Sequence, residues 1–178
     1  DLDVELAEAL GFDGRVVSLG KVSDGWIKAA TNTAVGGDVA RSFEPSNRQG
    51  RKNTFAVRIE GPGYMKFQWR LDSTLNHTED SIGSFLDDFS NTLSFLDQAA
   101  PPESSEWRDN WVFVPSGYHS IYFVFNKDSQ YATTAYLDHL QFAKVQPGKP
   151  TFVDFPSDVI NVELGETLAL PIKSADGF

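Results

Sequence analysis

Cysteine is absent from the 178 residues of the chain, and methionine occurs once. Without thiols the chain can form neither disulfide bonds nor thiolate metal sites, so its stability must come from packing or from cations held by oxygen ligands. No apolar run approaches the roughly 20 residues of a membrane-spanning helix, and we expect no membrane insertion. The chain begins at Asp1 with no apolar leader, so we expect it to be a piece of a larger polypeptide.

Positive charge is also scarce. The chain has 15 Lys and Arg against 25 Asp and Glu, which gives a formal net charge of −10 and a sequence pI near 4.6. Binding to a phosphate backbone needs clustered Lys and Arg that displace counterions. We therefore expect no nucleic-acid partner. An acidic surface suits a soluble extracellular protein, and it also suits a protein that binds divalent cations.

Recognisable catalytic motifs are missing as well. The chain has no nucleophile elbow, zinc-protease motif, Gly-rich phosphate loop or EF-hand loop, and its three histidines lie in unrelated segments. Two carboxylate pairs, Glu79/Asp80 and Asp87/Asp88, are adjacent in sequence. Neighbouring residues of a strand point to opposite faces, so neither pair can flank one glycosidic bond. The sequence predicts a non-catalytic chain. A hydrolase fragment remains the least favoured of the three functions that we consider.

What the chain does contain is β-forming sequence. Hydrophobic residues make up 40% of it, with 14 Phe. Apolar residues alternate with polar ones from Phe55 to Ile59 and again from Tyr64 to Leu71, and Gly61-Pro62-Gly63 predicts a turn between these two strands. On the second strand Met65, Phe67, Trp69 and Leu71 share one face, which predicts a buried Trp69. Further strands are predicted at Ile82–Leu86, Leu93–Leu96, Trp111–Val114, His119–Asn126 and Ala135–Phe142.

Other segments complete the predicted organisation. The first dozen residues place Leu2, Leu6, Ala9 and Leu10 on one helical face before Gly11, which predicts a short helix. The Pro-rich and acidic segment Ala99–Asn110 predicts an exposed loop. This rhythm of short strands and turns predicts an all-β sandwich or jelly roll.

An ordered set of motifs gives the prediction a more specific form. The set comprises Gly61-Pro62-Gly63, the strand Phe67–Ser73, the segment from Asp80 through Phe85 and Asp87, the stretch Trp111–His119 with its Val-Pro-x-Gly-x-His turn, Lys127-Asp128, Leu137–Leu140, and Gly37-Asp38-Val39-Ala40 upstream. This set resembles a jelly-roll module of large secreted bacterial proteins, similar to carbohydrate-binding modules and to concanavalin-like or MAM-like domains. The resemblance implies an accessory domain in a secreted or surface protein.

The C-terminal part resembles a different family. Phe155-Pro156-Ser157, Val162–Glu166 and Ala175-Asp176-Gly177 resemble the opening strands of a bacterial immunoglobulin-like domain. We therefore predict a jelly-roll module at 1–144, a linker at 145–150, and the first strands of an incomplete Ig-like domain at 151–178. Neighbouring domains of the same polypeptide are expected to supply the missing packing partners.

Candidate ligand-binding residues are the aromatic residues close to predicted loops, together with their polar neighbours. Sugar rings stack on exposed aromatic faces, while Asp, Asn and Arg bond their hydroxyls. On this basis the predicted glycan-binding residues are Trp107, Arg108, Asp109, Trp111, Tyr118 and Tyr131. Burial of Trp107 and Trp111 would instead favour a structural role. The partner expected is a polysaccharide or cell-surface glycan.

Calcium is the cofactor that the jelly-roll resemblance implies. Related modules hold the ion between the start of the sandwich and its closing strand, and an acidic chain without cysteine suits a hard cation. Asp38 and Asp138 are the predicted ligands. The alternative is that both carboxylates accept backbone hydrogen bonds at turns or strand edges.

Two functions remain open. The first is a calcium-stabilised module that attaches a secreted enzyme or adhesin to glycan. The second is a spacer or stalk that supports its neighbours without a ligand of its own.

Overall fold

The computed structural model describes residues 2–19, 25–30, 37–42, 49–101 and 103–145, in which one short helix is followed by eight strands. The predicted linker from 146 onward and the predicted Ig-like strands at 151–178 lie outside these residues. The elements are α1 (Val4–Leu10), β1 (Arg15–Leu19), β2 (Trp26–Ala30), β3 (Asp38–Ser42), β4 (Arg51–Ser73), β5 (Ser81–Leu86), β6 (Thr92–Leu96), β7 (Arg108–Lys127) and β8 (Thr133–Lys144).

Two long antiparallel strands, β4 and β7, form the backbone of the fold. They pair from Arg51/Lys127 to Trp69/Arg108, and each takes part in two layers. In the first, which we call the β1 layer, β1 pairs with residues 54–58 of β4, while β5 and β6 extend the sheet beyond residues 121–126 of β7. In the second, the β8 layer, β8 pairs with residues 63–73 of β4 and is followed by β3 and β2. The result is a jelly-roll β-sandwich, and the predicted fold class is confirmed.

Aromatic contacts across the interior show that the two layers pack on each other. Phe123 of the β1 layer stacks on Phe55 at 4.9 Å and meets Phe67 of the β8 layer edge-on at 5.1 Å. Trp26 of β2 contacts Phe55 at 5.3 Å, also edge-on. Trp69 is 1% exposed, which confirms its predicted burial. The core therefore lies between the layers and is dominated by rings, each burying a large apolar area.

Bulges in β7 and β8 decide which residues face this core. Between Gly61 and Gly63 of β4, the partner residues on β7 run from Gly117 to Val114, so β7 carries one extra residue. Buried positions on β7 accordingly change from even (Val112, Val114) to odd (Ile121, Phe123, Phe125). A one-residue shift moves all subsequent side chains to the other face.

The segment Gly61-Pro62-Gly63 was predicted to be a turn, and this prediction is wrong. It is the point inside β4 at which the strand passes from one layer to the other. A Cβ at Gly61 would lie 1.8 Å from the carbonyl oxygen of Pro115, so glycine is needed for close approach of the two backbones. The predicted strands Trp111–Val114 and His119–Asn126 are likewise halves of the single strand β7.

The N-terminal helix and the acidic loop differ in how well they were predicted. Helix α1 is confirmed for Leu6, Ala9 and Leu10, whereas Leu2 was placed wrongly: it precedes the helix, is exposed and bridges to Val17. Asp3 caps the helix by accepting a hydrogen bond from the Leu6 amide at 3.0 Å, and the helix ends at Gly11 with φ of 63°. The exposed loop predicted at Ala99–Asn110 is partly wrong. Ala99 is fully buried and exchanges backbone hydrogen bonds with His77, while 108–110 already belong to β7.

Candidate functional site

The outer surface of the β8 layer carries a set of aromatic and polar side chains in rows. Odd-numbered residues of β4 from Met65 to Leu71 face the core, so the even-numbered ones face outward. We call this surface the aromatic face. It consists of Tyr64, Lys66, Gln68 and Arg70 of β4, Trp107 and β7 residues Asp109, Trp111 and Phe113, and β8 residues Tyr136 and His139.

Each outward side chain of β4 contacts its neighbour across the ladder to β7. The ring of Tyr64 lies 5.2 Å from that of Phe113, and Lys66 Nζ lies 4.8 Å from the centroid of Trp111. These are the direct cross-strand pairs of the register. Such pairs are the contacts that hold side chains in place on a sheet face. The two outward rings of β7 are therefore positioned side by side before any ligand binds.

Polar groups occupy the middle of the face. Gln68 Nε2 donates to Asp109 Oδ1 at 2.9 Å, and Gln68 Oε1 lies 3.1 Å from His139 Nδ1. His139 reaches this position because a bulge in β8 gives it a φ of 52°. Donors and acceptors thus lie on the same sheet surface as the rings of Trp111 and Phe113.

One end of the face is more closely packed. The Arg70 guanidinium lies 4.7 Å from the Tyr136 ring and 5.0 Å from the Trp107 ring, and Arg70 Nη2 donates to Asp72 Oδ2 at 2.9 Å. Burial raises the pKa of Asp72, against the hydrogen bond from Ser105 and the charge of Arg70, which lower it. Trp107 is half-buried at this end, whereas Trp111 is 41% and Phe113 46% exposed.

Three of the six predicted ligand-binding residues, Trp107, Asp109 and Trp111, lie on the aromatic face. Arg108 lies between Trp107 and Asp109 in sequence, so its side chain points to the opposite side of the strand. Its Nη2 donates to Gln98 Oε1 at 3.3 Å. Tyr118 is 84% exposed, but it is the cross-strand partner of Glu60 in the β1 layer. Tyr131 lies in the connection between β7 and β8, where its ring is 5.2 Å from that of His77.

Sequence reasoning did not nominate Tyr64, Phe113 and Tyr136 for this surface. A signal for two of them was present. Phe113 follows Trp111 at a spacing of two residues within a predicted strand, and Tyr64 begins an outward series on β4 that continues through Lys66. Residues at spacing two share a face of a strand. Tyr136 joins them only through the pairing of β8 with β4.

A separate cluster contains the residue types of a catalytic triad but not their arrangement. His77 Nε2 lies 3.0 Å from Ser73 Oγ, 3.0 Å from Thr133 Oγ1 and 3.6 Å from Asp80 Oδ2. A triad needs the carboxylate on one ring nitrogen and the nucleophile on the other. Here all three oxygens face the same nitrogen, and His77 Nδ1 is buried with no hydrogen-bond partner among the described residues. The cluster is therefore not arranged as a relay.

His119 lies within β7, and both of its ring nitrogens are within hydrogen-bond distance of oxygen atoms. Its Nδ1 lies 2.7 Å from Asp87 Oδ2 and its Nε2 lies 3.1 Å from the Ser116 carbonyl oxygen. The hydrogen bond to Asp87, helped by the Ser116 carbonyl and opposed by partial burial, raises the pKa of His119. The pKa of Asp87 is lowered by its hydrogen bonds from the Ser120 amide and from His119. Asp87 itself lies in the turn after β5 and not on a strand.

The two predicted calcium ligands have different surroundings. Asp38 Oδ2 pairs with Lys28 Nζ at 3.2 Å. Asp138 is 4% exposed, its Oδ1 accepts a hydrogen bond from the His139 amide at 2.6 Å, and burial raises its pKa. Across the described part of the chain, no three His, Cys, Asp or Glu side chains are grouped so as to hold a metal. Asp38 and Asp138 would supply only part of the roughly six to eight oxygen ligands that calcium takes.

None of the helices in the described ranges is both long enough and apolar enough to cross a membrane.

Fold and site together define a jelly-roll β-sandwich with an exposed aromatic sheet face. No family model and no curated protein sequence matches the chain. Among solved structures, it is similar to the secreted serine protease VesC of Vibrio cholerae, with a TM-score of 0.55 and 14% identity over 80% of this chain. The chain spans only 28% of VesC.

Two further similar structures are whole domains of comparable size. The K1 cleaved adhesin domain of Lys-gingipain from Porphyromonas gingivalis gives a TM-score of 0.55 and 16% identity, with 74% of this chain and 90% of that one covered. The K3 cleaved adhesin domain of the same protein gives 0.51 and 14%, with 72% and 90% covered. At these identities the likeness establishes the fold.

Proposed function

We propose that the chain is a non-catalytic accessory module of a secreted or surface bacterial protein, and that its aromatic face binds a glycan chain. The observation that carries this proposal is the exposure of Trp111 and Phe113 side by side on one sheet face. Large exposed apolar surfaces rimmed by polar groups mark binding sites. Rings supply stacking surfaces for sugars, and the Gln68, Asp109 and His139 groups between them supply hydrogen bonds to hydroxyls.

The dimensions of the face suit an extended ligand. From Tyr64 to Arg70 the strand advances six residues, or about 20 Å at roughly 3.3 Å per residue. Cross-strand contacts already hold the side chains of the aromatic face in the free protein. Binding therefore costs little side-chain conformational entropy. We therefore infer an oligosaccharide of several units as the ligand rather than a single sugar.

The similar folds support the accessory role. Two of them are named adhesin domains, and the third is part of a larger secreted enzyme. These names belong to those proteins. For this chain they support a position beside other domains in an extracellular polypeptide, with the partner being a polysaccharide or cell-surface glycan.

The proposal is tested on a glycan array followed by titration calorimetry with the best ligand. We expect Trp111→Ala and Phe113→Ala each to weaken binding by about tenfold or more, a loss of ~1.4 kcal/mol or greater. Phe95→Ala is the matched control, because Phe95 is 53% exposed on β6 of the other layer. Flat array signals for the wild-type chain would overturn the proposal, as would equal affinity of the Trp111 variant with an unchanged circular dichroism spectrum.

A spacer with no ligand of its own is the second candidate. The observation that favours it is the position of Trp107, half-buried against Arg70 and Tyr136. That ring contributes packing energy as well as surface. If Trp107→Phe lowers the melting temperature while the wild-type chain gives no signal for any glycan, the spacer function is favoured.

A further inference from the structure

A cleft in the β1 layer, on a different surface from the aromatic face, has the composition of an anion site. Its volume is about 500 Å³, within the range of ligand pockets. Strand β1 contributes Arg15, β4 contributes Arg58 and Glu60, and β7 contributes Tyr118 and Ser120, with Asp87 and His119 at one side.

The two arginines are an unusual pair. Arg15 and Arg58 are direct cross-strand partners in the β1–β4 ladder, and both are exposed. Like charges opposite each other in a sheet destabilise it. Among the described residues, no carboxylate lies within 4.0 Å of either guanidinium. Their mutual repulsion is therefore not relieved by the protein groups that the structure describes.

The acidic groups of the same cleft already contact other partners. Glu60 Oε2 pairs with Lys144 Nζ at 3.3 Å. Asp87 Oδ2 lies 2.7 Å from His119 Nδ1, and Asp87 Oδ1 accepts the Ser120 amide at 2.9 Å. These carboxylates are engaged, whereas neither arginine has a carboxylate partner among the described residues, so the cleft offers positive charge to an anion. The net charge of −10 only weakly opposes the binding of an anion to this cleft, since charges more than about 8–10 Å away are screened at physiological salt.

We propose that Arg15 and Arg58 bind the acidic group of a charged sugar, either a uronate carboxylate or a sugar sulfate. The planar guanidinium presents paired donors that match two oxygens of such a group. Ser120 is the cross-strand neighbour of Arg58 on the side away from Arg15, and its hydroxyl extends the row. The ring of Tyr118, 84% exposed at the rim, supplies a stacking surface for the sugar itself.

This site does not depend on the aromatic face, and the two can be tested apart. Calorimetric titrations would use a hexagalacturonate, a κ-carrageenan hexasaccharide and an uncharged cellohexaose, so that carboxylate, sulfate and neutral arms are compared. We expect at least one charged hexasaccharide to bind, with an affinity that falls as NaCl is raised. We expect Arg58→Gln and Arg15→Gln each to weaken that binding about tenfold or more.

Lys52→Gln is the matched control. Lys52 is exposed on β4, as Arg58 is, and it does not line the cleft. Its substitution by Gln removes the same unit of positive charge as Arg58→Gln. Trp111→Ala separates the two sites: when it is combined with Arg58→Gln, the arginine substitution should still weaken binding of the acidic sugar about tenfold. The proposal is overturned if neither charged hexasaccharide binds, or if Lys52→Gln weakens binding as much as Arg58→Gln does.

A stability measurement gives a second readout. Removing one of two facing positive charges should leave the melting temperature of the free chain equal or higher, so loss of binding cannot be assigned to misfolding. The charged hexasaccharide should raise the melting temperature of the wild-type chain and not that of Arg58→Gln, because only a ligand of the native state stabilises it. An equal rise in both proteins would contradict the assigned site.

Discussion

Lys127 Nζ lies 3.3 Å from Asp80 Oδ2. Only 7% of the Lys127 side chain is exposed, and the Asp80 side chain is fully buried. Asp80 also accepts the amides of Asp128 and Ser129 at 2.7 and 2.6 Å and the Ser129 hydroxyl at 2.6 Å. Lys127 Nζ donates in addition to the carbonyl oxygens of Ser129 and Tyr131. These bonds join the start of β5 to the end of β7 and to the connection that leads into β8.

The first prediction concerns this buried ion pair. Lys127→Met leaves the Asp80 carboxylate buried without its cation, and loss of one partner of such a pair costs about 3–5 kcal/mol. Urea unfolding should show a fall of this size in the free energy of unfolding. Lys144→Met is the control: its pair with Glu60 is about half exposed, so the change should stay within about 1 kcal/mol. Equal effects of the two substitutions would contradict the assigned role.

The second prediction concerns acid stability. Burial by itself would raise the pKa of Asp80, but the hydrogen bonds from Ser129 and Thr133 and the charge of Lys127 together lower it. A carboxyl with a lower pKa in the folded state stabilises the fold above its unfolded pKa, about 3.9. That contribution is lost as the pH falls through the folded pKa. In urea titrations between pH 7 and 2, Asp80→Asn should show a smaller loss of stability below pH ~4 than the wild-type chain.

The third prediction concerns the pH response of His119. Its pKa is raised mainly by the hydrogen bond to Asp87, so an NMR titration should find it above the ordinary value of about 6.5. A histidine with a raised folded pKa stabilises the fold below its unfolded pKa, and this is lost as the pH rises through the folded pKa. Asp87→Asn should bring the His119 titration back toward the ordinary value, and an unchanged titration would contradict the pairing.

The fourth prediction concerns Gly61. Alanine there would place its methyl group 1.8 Å from the backbone carbonyl oxygen of Pro115, so β4 and β7 would have to separate. We expect a loss of about 1–3 kcal/mol or more, the range for overpacking, measured by thermal unfolding. At Gly83 the nearest atoms belong to the Phe85 side chain at 2.8 Å, which can move. Gly83→Ala should therefore cost less, and a larger cost at Gly83 would count against this explanation.

The fifth prediction concerns calcium, which we retain as a proposal at Asp38 and Asp138. A calcium ion that binds the native state must raise the melting temperature by mass action, and its binding would have to replace the Lys28 pair of Asp38. The melting temperature should then be higher in millimolar CaCl₂ than in EDTA, and the difference should vanish in Asp138→Asn. Identical melting temperatures in CaCl₂ and EDTA would remove calcium from the proposal.

Prediction from the sequence was most successful where a local pattern carries the information. The period of two in β4 correctly placed Phe67 and Trp69 in the core, and the short apolar face before Gly11 correctly gave helix α1. It failed at Gly61-Pro62-Gly63, because a turn and a close approach of two strand backbones both call for glycine. The difference depends on whether β7 lies alongside, which no local pattern records.

The candidate site shows the same division. Trp107 and Trp111, nominated as aromatic residues near predicted loops, lie on one sheet face, whereas Tyr118, nominated on the same ground, and Arg108, nominated as a neighbour of Trp107, do not. Arg108 points to the opposite side of the strand from Trp107 and Asp109, and Tyr118 pairs with Glu60 in the part of β7 that belongs to the β1 layer.

The sequence by itself determined that this protein is an acidic, cysteine-free β-sandwich with a ring-rich core, because alternation and composition act residue by residue. Only the tertiary structure decided which outward side chains meet. Tyr136 joins Trp107, and Arg15 faces Arg58, through pairings between strands far apart in the chain. Those pairings are set by the bulges and by the packing of the two layers, whose energies depend on the whole fold.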